Sequence, residues 1–327
     1  MKLIVLGERD VYDLLPIADC IAVMEDAFRT VAAGNFAQPA RLIAWLPDGH
    51  GAIGSMPAYL GDPDALAVKV ITVFPENRAA GLESHQGSVL LHETQTGRPL
   101  AIVHAGAVTA IRTAAVSALA ARILSNPQAS RLALLGSGTQ ARTHLEAMRA
   151  IRPIERVIVW SRTADHARAF AREESARHGT NIEVVQSASD AVSGCDIICT
   201  LTAATAPVFE GAWLEPGMHV SAAGSSVPPF RELDAEAVKR ARLFVDNRDC
   251  VLSEADDLRV PIAEGAITAK HILGDLGELV TAKVSGRTSP DDVTLFKSVG
   301  MAVEDVATAR ELYARAQTRG RGTRVEY

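Results

Sequence analysis

The sequence predicts an α/β protein of two parts: a doubly wound parallel sheet, and a second α/β domain built on a mixed sheet. Three observations carry this. From Arg131 onward, strand-like and helix-like segments alternate at the spacing of β-α-β units. Before that, strand-like runs follow one another across short turn clusters. Where the two patterns meet, a glycine-rich turn stands between an apolar strand and a helix, at Gly136-Ser-Gly-Thr-Gln-Ala141. With 327 residues and 48% hydrophobic content, the chain has enough apolar side chains for two cores.

The elements follow in order. Met1 to Gly7 reads as a short strand. Apolar Ile17, Cys20, Ile21, Met24, Ala27, Phe28 and Val31 recur at helical spacing, which predicts a helix over 16–33 stopped by Gly34-Asn35. Strands are predicted over 41–46, 52–57, 65–74, 87–92 and 100–104, with turns such as Pro47-Asp-Gly49 and Thr96-Gly-Arg-Pro99 between them. An Ala-rich helix over 108–124 leads into the alternating part. There the strands are 131–135, 157–160, 183–185, 196–200, 219–222 and 243–245, and the helices 140–151 and 164–178. A last helix over 293–316 is expected to pack back onto the first domain. The domains are therefore 1–122 with 300–327, and 123–299.

Composition removes several function classes. A net charge of -6 leaves no electrostatic footprint for nucleic acid. Arg319, Arg321 and Arg324 read as a solvated tail. No apolar run is expected to reach the roughly 20 residues that span a bilayer. The N-terminus lacks the basic region and cleavage site of a signal peptide, so a cytoplasmic protein is expected. The four cysteines are few and scattered, as suits reduced thiols. Cys195 and Cys199 bracket a strand, with no histidine at ligand spacing, so no metal is expected.

The turn at 136–141 carries chemistry. Gly136 permits a tight bend, Gly138 lets backbone approach a pyrophosphate, and Ala141 lets the helix pack close to the strand. The helix N-terminus offers free N–H groups to phosphates. This predicts a Rossmann dinucleotide site at Gly136, Ser137, Gly138, Thr139 and Gln140. At the end of the next strand, a carboxylate would accept from the ribose 2′-hydroxyl of NAD. Ser161-Arg162-Thr163 stands there instead. A guanidinium with two hydroxyls suits a 2′-phosphate, so NADP(H) is preferred and NAD(H) remains possible. The alternative makes Arg162 a surface residue or a stack on adenine. Thr200-Leu-Thr202 and Ala223-Gly-Ser-Ser226 also fall at strand ends, where the crevice is expected. Either stretch reads also as a plain loop; Gly224, which allows close approach, favours a functional role for the second.

Three cations lie at element ends or inside apolar runs: Arg41, Lys69 and Arg112. Lys69 interrupts Ala65-Leu-Ala-Val-Lys-Val-Ile71, where a charge is costly unless it faces a partner or pocket. Each alone reads equally well as a snorkelling surface residue. Together they look like a receptor for a small carboxylate. His85 could donate a proton near neutral pH or serve the structure only.

The chain resembles the ornithine cyclodeaminase/mu-crystallin family over nearly its whole length, and most of all its ketimine reductase branch. The matching segments begin with Ser84-His-Gln-Gly-Ser-Val-Leu-Leu91, Thr109-Ala-Ile-Arg-Thr-Ala-Ala-Val-Ser117 and Gly136-Ser-Gly-Thr-Gln-Ala141. They continue with Val159-Trp-Ser-Arg-Thr163, Ala223-Gly-Ser-Ser-Val-Pro-Pro-Phe-Arg-Glu-Leu233 and Phe296-Lys-Ser-Val-Gly-Met-Ala-Val-Glu-Asp305. The resemblance implies a homodimer formed through the N-terminal domains. It implies a substrate carboxylate held by Arg41, Lys69 and Arg112. Cofactor contacts would fall at Ser84, His85, Arg112, Thr113, the Gly136 turn, Ser161 to Thr163, Thr200, Leu201 and Ser298. It further implies an NAD(P)H-dependent oxidoreductase acting on C=N bonds of a small cyclic imino acid, with Lys69 or His85 protonating or stabilising the imine nitrogen, or with a substrate that enters already protonated. One position departs from the cyclodeaminase branch: Ser226 stands where that branch carries a catalytic Asp, and serine is no ionised base at neutral pH. An amino-acid dehydrogenase of open-chain 2-oxo acids, a cyclodeaminase and a nucleotide-bound ligand-binding protein stay open as alternatives.

Overall fold

The computed structural model describes residues 2–326, apart from the side chains of Arg78 and Ala79, and divides into two units. Unit 1 holds the residues up to Arg112 and those from Met301 on; unit 2 is Thr113–Gly300. The chain starts with β1 (Lys2–Leu6), α1 (Glu8–Leu14) and α2 (Ile17–Ala32). The apolar stripe of α2 buries Ile17, Cys20, Ile21, Met24, Ala27 and Phe28. Next come β2 (Phe36–Ala37), β3 (Leu42–Trp45), β4 (Ala52–Gly61), β5 (Asp64–Val73), β6 (His85–His92) and β7 (Pro99–His104). The helix α3 (Ala105–Leu124) carries the chain across the boundary.

Unit 2 opens on β8 (Arg131–Leu135), α4 (Thr139–Ile151), β9 (Arg156–Trp160), α5 (Ala164–His178) and β10 (Ile182–Val184). The chain goes on through α6 (Ala188–Val192), β11 (Ile197–Thr200), β12 (His219–Ala222), α7 (Ala235–Arg240) and β13 (Arg242–Val245). Last come α8 (Arg248–Glu254), α9 (Asp256–Ala263), β14 (Ile272–Asp275), α10 (Leu276–Val280) and β15 (Thr294–Lys297). The strands form one sheet in the order β10-β9-β8-β11-β12-β15-β13-β14. Every pairing in it is parallel. Its central strands are buried along their whole length, as a sheet covered on both faces requires.

The chain then returns to unit 1 with α11 (Ala302–Arg319) and β16 (Thr323–Glu326). The sheet of unit 1 runs β16-β1-β7-β6-β5-β4-β2, with β3 paired to β4. It is mixed: β1 is parallel to β7, and the other neighbours are antiparallel. Alternation decides the faces. Ala65, Ala67, Lys69 and Ile71 of β5 point to the buried face, against which α11 packs. Leu66 and Val70 are exposed on the other face, and Val68 is half-buried between them.

Two expectations need correction. The predicted helix over 293–316 is a strand and then a helix. Thr294–Lys297 pairs with both β12 and β13, and Gly300 (φ +82°) ends the run before α11. Four residues are too few to show a period, and a lysine in the run disguised a buried strand. Secondly, among the described residues one helix is long and apolar enough to cross a membrane: Ala105–Leu124, 20 residues. Of its most apolar window 83% is buried inside the protein, so its hydropathy is that of a core helix.

Candidate active site

In unit 2 the parallel register lines up the ends of the central strands. Thr200 stands beside Leu135 and Ala222, and Ala222 beside Lys297. The residues that follow, Gly136, Leu201, Ala223 and Ser298, therefore form one row at the carboxyl rim. Leu201 N donates to Leu135 O at 2.8 Å, and Ser298 N to Ala222 O at 3.1 Å. Strand order reverses at β8, with β9 on one side and β11 on the other. Open α/β sheets bind ligands at such a switch point.

The two glycines of the turn differ in what surrounds them. Gly136 has φ +126°, and a Cβ there would lie 2.6 Å from Leu201 O, so fold and backbone both demand glycine. Gly138 caps the N-terminus of α4, and a Cβ on it would meet nothing within 4 Å. Open space over a helix N-terminus with no capping side chain fits a pyrophosphate. Ser137, Thr139 and Gln140 complete this turn, and Ala141 is fully buried under it. Ser161, Arg162 and Thr163 follow β9, with Arg162 and Thr163 exposed and Thr163 at the N-cap of α5. Asp165, in the first turn of α5, pairs with Arg168 at 2.7 Å.

Other predicted contacts are occupied from within. The Thr200 hydroxyl donates to Glu232 Oε2 at 2.8 Å, and the Ser298 hydroxyl to Asp246 Oδ2 at 3.0 Å. Asp246 also accepts from the N–H groups of Val299 (2.7 Å) and Gly300 (2.6 Å). The sequence favours a functional role for the Gly224 stretch, through close approach. Instead, a Cβ on Gly224 would lie 2.3 Å from Thr202 N and 2.5 Å from Glu232 Oε1. The approach it permits is by its own unit.

In unit 1 the cations converge. Lys69 is 3% exposed, and its Nζ lies 2.7 Å from Asp305 Oδ2. Arg112 is 5% exposed; its Nε donates to Asp305 Oδ1 at 3.1 Å and its Nη1 to Glu304 Oε2 at 2.7 Å. One carboxylate is thus shared by two cations. Burial lowers the Lys69 ammonium from its ordinary 10.5 to about 8; Asp305 resists this, while Arg112 and Arg41 add to it. Burial works against the Arg112 charge too, but Asp305 and Glu304 outweigh it and hold the guanidinium above its ordinary range. Burial likewise pushes Asp305 upward, and Lys69 and Arg112 overcome it to keep the carboxyl below its usual range. Arg41, half-buried before β3, belongs to the same electrostatic group through its effect on Lys69.

Ser84 is buried, and His85 opens β6 at an exposed position, its Nδ1 3.0 Å from Ser84 Oγ. Thr113 is buried in α3. The four cysteines are thiols rather than disulfides; burial raises Cys20 to about 12 and Cys195 to about 11, which makes those two poor nucleophiles. Among the described residues no His, Cys, Asp and Glu side chains gather into a group that could hold a metal ion.

Sequence reasoning gave no role to the carboxylates Asp305, Glu304, Glu232, Asp257 and Asp246. Three of them sit in or beside helices, where an acidic residue looks like ordinary surface. Lys297 carried a usable signal, the same one that singled out Lys69: a cation closing an apolar run.

Comparison with known proteins agrees with this architecture. The model of the ornithine cyclodeaminase/mu-crystallin family matches residues 1–320. A Δ1-pyrroline-2-carboxylate reductase of Bacillus cereus is 40% identical over 273 residues, 83% of this chain and 84% of its own. The mouse ketimine reductase mu-crystallin is 38% identical over 280 residues, 86% of this chain and 85% of its own. The structure of Thermococcus litoralis Δ1-pyrroline-2-carboxylate reductase, in complex with NADH and L-proline, superposes with a TM-score of 0.96. It is 38% identical, and the match covers 99% of this chain and 100% of that one.

Proposed function

The chain belongs to the ornithine cyclodeaminase/mu-crystallin family, and on that premise we propose that it is an NAD(P)H-dependent reductase of cyclic ketimines. The substrates are Δ1-pyrroline-2-carboxylate or Δ1-piperideine-2-carboxylate, and the products L-proline or L-pipecolate. One observation carries the reading: a buried lysine with a lowered pKa beside a buried arginine, both held by one aspartate. Arg112 and Arg41 supply guanidinium groups suited to a planar carboxylate. Lys69, with its pKa near 8, keeps its proton at neutral pH yet holds it loosely enough to share with an imine nitrogen. Asp305 keeps that ammonium charged and aimed. His85 is the second candidate for the proton, at a more exposed position.

In unit 2 the Gly136–Gln140 turn takes the pyrophosphate, and Arg162 with Ser161 and Thr163 takes a ribose 2′-phosphate, so NADP(H) is preferred over NAD(H). The main chain at Thr200, Leu201 and Ser298 forms the rest of that crevice. When bound, the reduced nicotinamide supplies the hydride. Ser226 where the cyclodeaminase branch has an Asp speaks against deamination of ornithine.

A homodimer through unit 1 completes the reading. Pro57, Val68, Leu90 and Ile102 stand abreast on the sheet face away from α11, and Leu66 and Val70 flank them exposed. An apolar sheet face of this breadth needs a cover, and a second copy brings an identical face to it. A cytoplasmic location goes with reduced cysteines and a nicotinamide cofactor. The test is steady-state oxidation of NADPH and NADH with both cyclic imines, and with pyruvate plus ammonia. Turnover of a cyclic imine, faster with NADPH, is expected. Turnover with pyruvate and ammonia alone would replace this reading by an amino-acid dehydrogenase.

A further inference from the structure

Beneath the carboxyl rim of unit 2 lies a fully buried set of ionisable side chains that the reading above does not use: Glu232, Asp257 and Lys297, each 0% exposed. Four hydrogen bonds converge on Glu232. Its Oε1 accepts from Thr202 N (2.6 Å) and Thr202 Oγ1 (2.8 Å), and its Oε2 from Thr200 Oγ1 (2.8 Å) and Gly224 N (2.9 Å). One oxygen thus serves the loop after β11 alone, and the other ties the last residue of β11 to the loop after β12. Asp257, at the start of α9, holds the carboxylate's own backbone, accepting from Glu232 N (2.7 Å) and Leu233 N (2.8 Å). Lys297 at the end of β15 pairs with Asp257 at 2.8 Å and donates to Ser225 O, inside the β12 loop. Burial raises the Glu232 pKa, Lys297 draws it back, and Asp257 adds to the rise.

Burying a carboxylate at full depth costs several kcal/mol unless donors surround it. A fold that needed only a plug here would place a leucine. What the carboxylate adds is geometry: it fixes the two loops by their backbone amides, and Gly224 leaves no room for anything else between them. These loops follow β11 and β12, on the far side of the switch point from β9. A dinucleotide lying across such a point rests one nucleotide on each side. Arg162, after β9, marks the adenosine side, so the latched loops lie on the nicotinamide side.

We propose that Glu232 is a positioning residue for the nicotinamide half of the cofactor, latching the β11 and β12 loops into one rigid floor, with Asp257 and Lys297 as its fixed backing. The inference rests on the reductase reading for the identity of the cofactor. Glu232→Gln tests it with little change of shape. Thr200 and Thr202 hydroxyls can turn to accept, but the amides of Thr202 and Gly224 cannot. Whichever way the new side-chain amide is turned, its NH2 meets one backbone N–H, and one loop is released.

The experiment titrates wild type and Glu232→Gln with NADPH and NADH, and with their adenosine halves, adenosine 2′,5′-bisphosphate and AMP. Single-turnover hydride transfer is followed alongside. The dinucleotides are expected to bind about tenfold more weakly, in line with loss of a hydrogen bond to a charged group, and hydride transfer to slow. The adenosine halves are expected to bind within about twofold of wild type. A merely structural role would weaken both classes of ligand together, and that result overturns the proposal, as does unchanged dinucleotide binding. Should Glu232→Gln not fold, Thr202→Val, which deletes one donor to Oε1, must give the same split at smaller size. A wild type that binds neither dinucleotide overturns this inference and the reductase reading together. A wild type that binds them but reduces no cyclic imine overturns the substrate reading alone, and the binding split still decides the latch.

Discussion

Replacing Asp305 by asparagine keeps the size of the side chain and removes the charge that Lys69 and Arg112 share. Lys69 lies 2.7 Å from one carboxylate oxygen and Arg112 3.1 Å from the other. At such separations and an effective dielectric constant of about 20, Coulomb's law gives about 5–6 kcal/mol per pair. Desolvation offsets much of that, and removing one partner of a buried pair costs about 3–5 kcal/mol in practice. At about 1.4 kcal/mol per pH unit, this amounts to about two to four pH units. Arg112 keeps Glu304 at 2.7 Å and cannot release its proton, so the response falls on Lys69. Burial, Arg112 and Arg41 already act to expel that proton. On the role proposed for Lys69 its protonated form is the active one, so wild-type kcat/KM is expected to fall as pH rises through about 8. In Asp305→Asn the falling limb is expected about two to four pH units lower, with a loss at pH 7.5 of about 30-fold or more. Stability has a matching sign. The folded pKa of Lys69 lies below its ordinary 10.5, so its charge costs stability below pH 8, and that cost is relieved between about pH 8 and 10.5. In the variant the relief is expected to begin at lower pH. Steady-state pH profiles at saturating cofactor, with urea unfolding at each pH, measure both. A limb that stays within half a pH unit of wild type refutes the assignment of Lys69 and its dependence on Asp305.

The other expectations are briefer. Gly136→Ala forces a side chain onto φ +126° against Leu201 O, and is expected to cost about 1–3 kcal/mol, several degrees of Tm by thermal unfolding. Gly138→Val points into open space, so Tm is expected to hold while NADPH affinity falls about tenfold or more; equal Tm losses at the two positions would reject their separate roles. Arg162→Ala is expected to lower kcat/KM about 10- to 100-fold more with NADPH than with NADH, and equal losses would remove the 2′-phosphate contact. The wild type is expected to sediment as a dimer and Val68→Glu, on the outward sheet face, as a monomer; a monomeric wild type would leave that face without its cover.

What the sequence made legible was what a period or a turn encodes. The strand, glycine turn and helix at 131–151 could be read because a buried parallel strand is continuously apolar and the turn chemistry is narrow. Lys69 stood out as a charge inside an apolar run, but its direction did not, because β5 is apolar on both faces and two of its larger side chains, Leu66 and Val70, are exposed. What remained hidden was pairing between distant segments. Arg112 and Asp305 lie 193 positions apart, and Thr200 and Glu232 lie 32 apart. No local pattern ties such residues together, and a carboxylate on α11 reads as helix surface until the sheet is laid against it. Strand β15 failed for the related reason that four residues carry no period, although a lysine in an apolar run was itself a signal.

The two buried lysines show where such a signal stops. In sequence Lys69 and Lys297 look alike, each a cation in an apolar strand, and in the fold each faces a buried aspartate, at 2.7 Å and 2.8 Å. Their further company separates them. Around Lys69 stand Arg112 and Arg41 with Asp305 and Glu304, and burial, opposed by Asp305 and helped by the two arginines, brings the ammonium down to about 8. Around Lys297 stand two carboxyl groups, those of Glu232 and Asp257. Burial, with Arg112 and Arg41 adding to it, leaves Lys69 poised to give up its proton, whereas Lys297 is tied to Asp257 and to Ser225 O. The first arrangement suits transfer of a proton to a substrate, and the second suits fixing loops in place. Identical local sequence signals therefore divide into chemistry and scaffolding by the groups that distant segments bring to them.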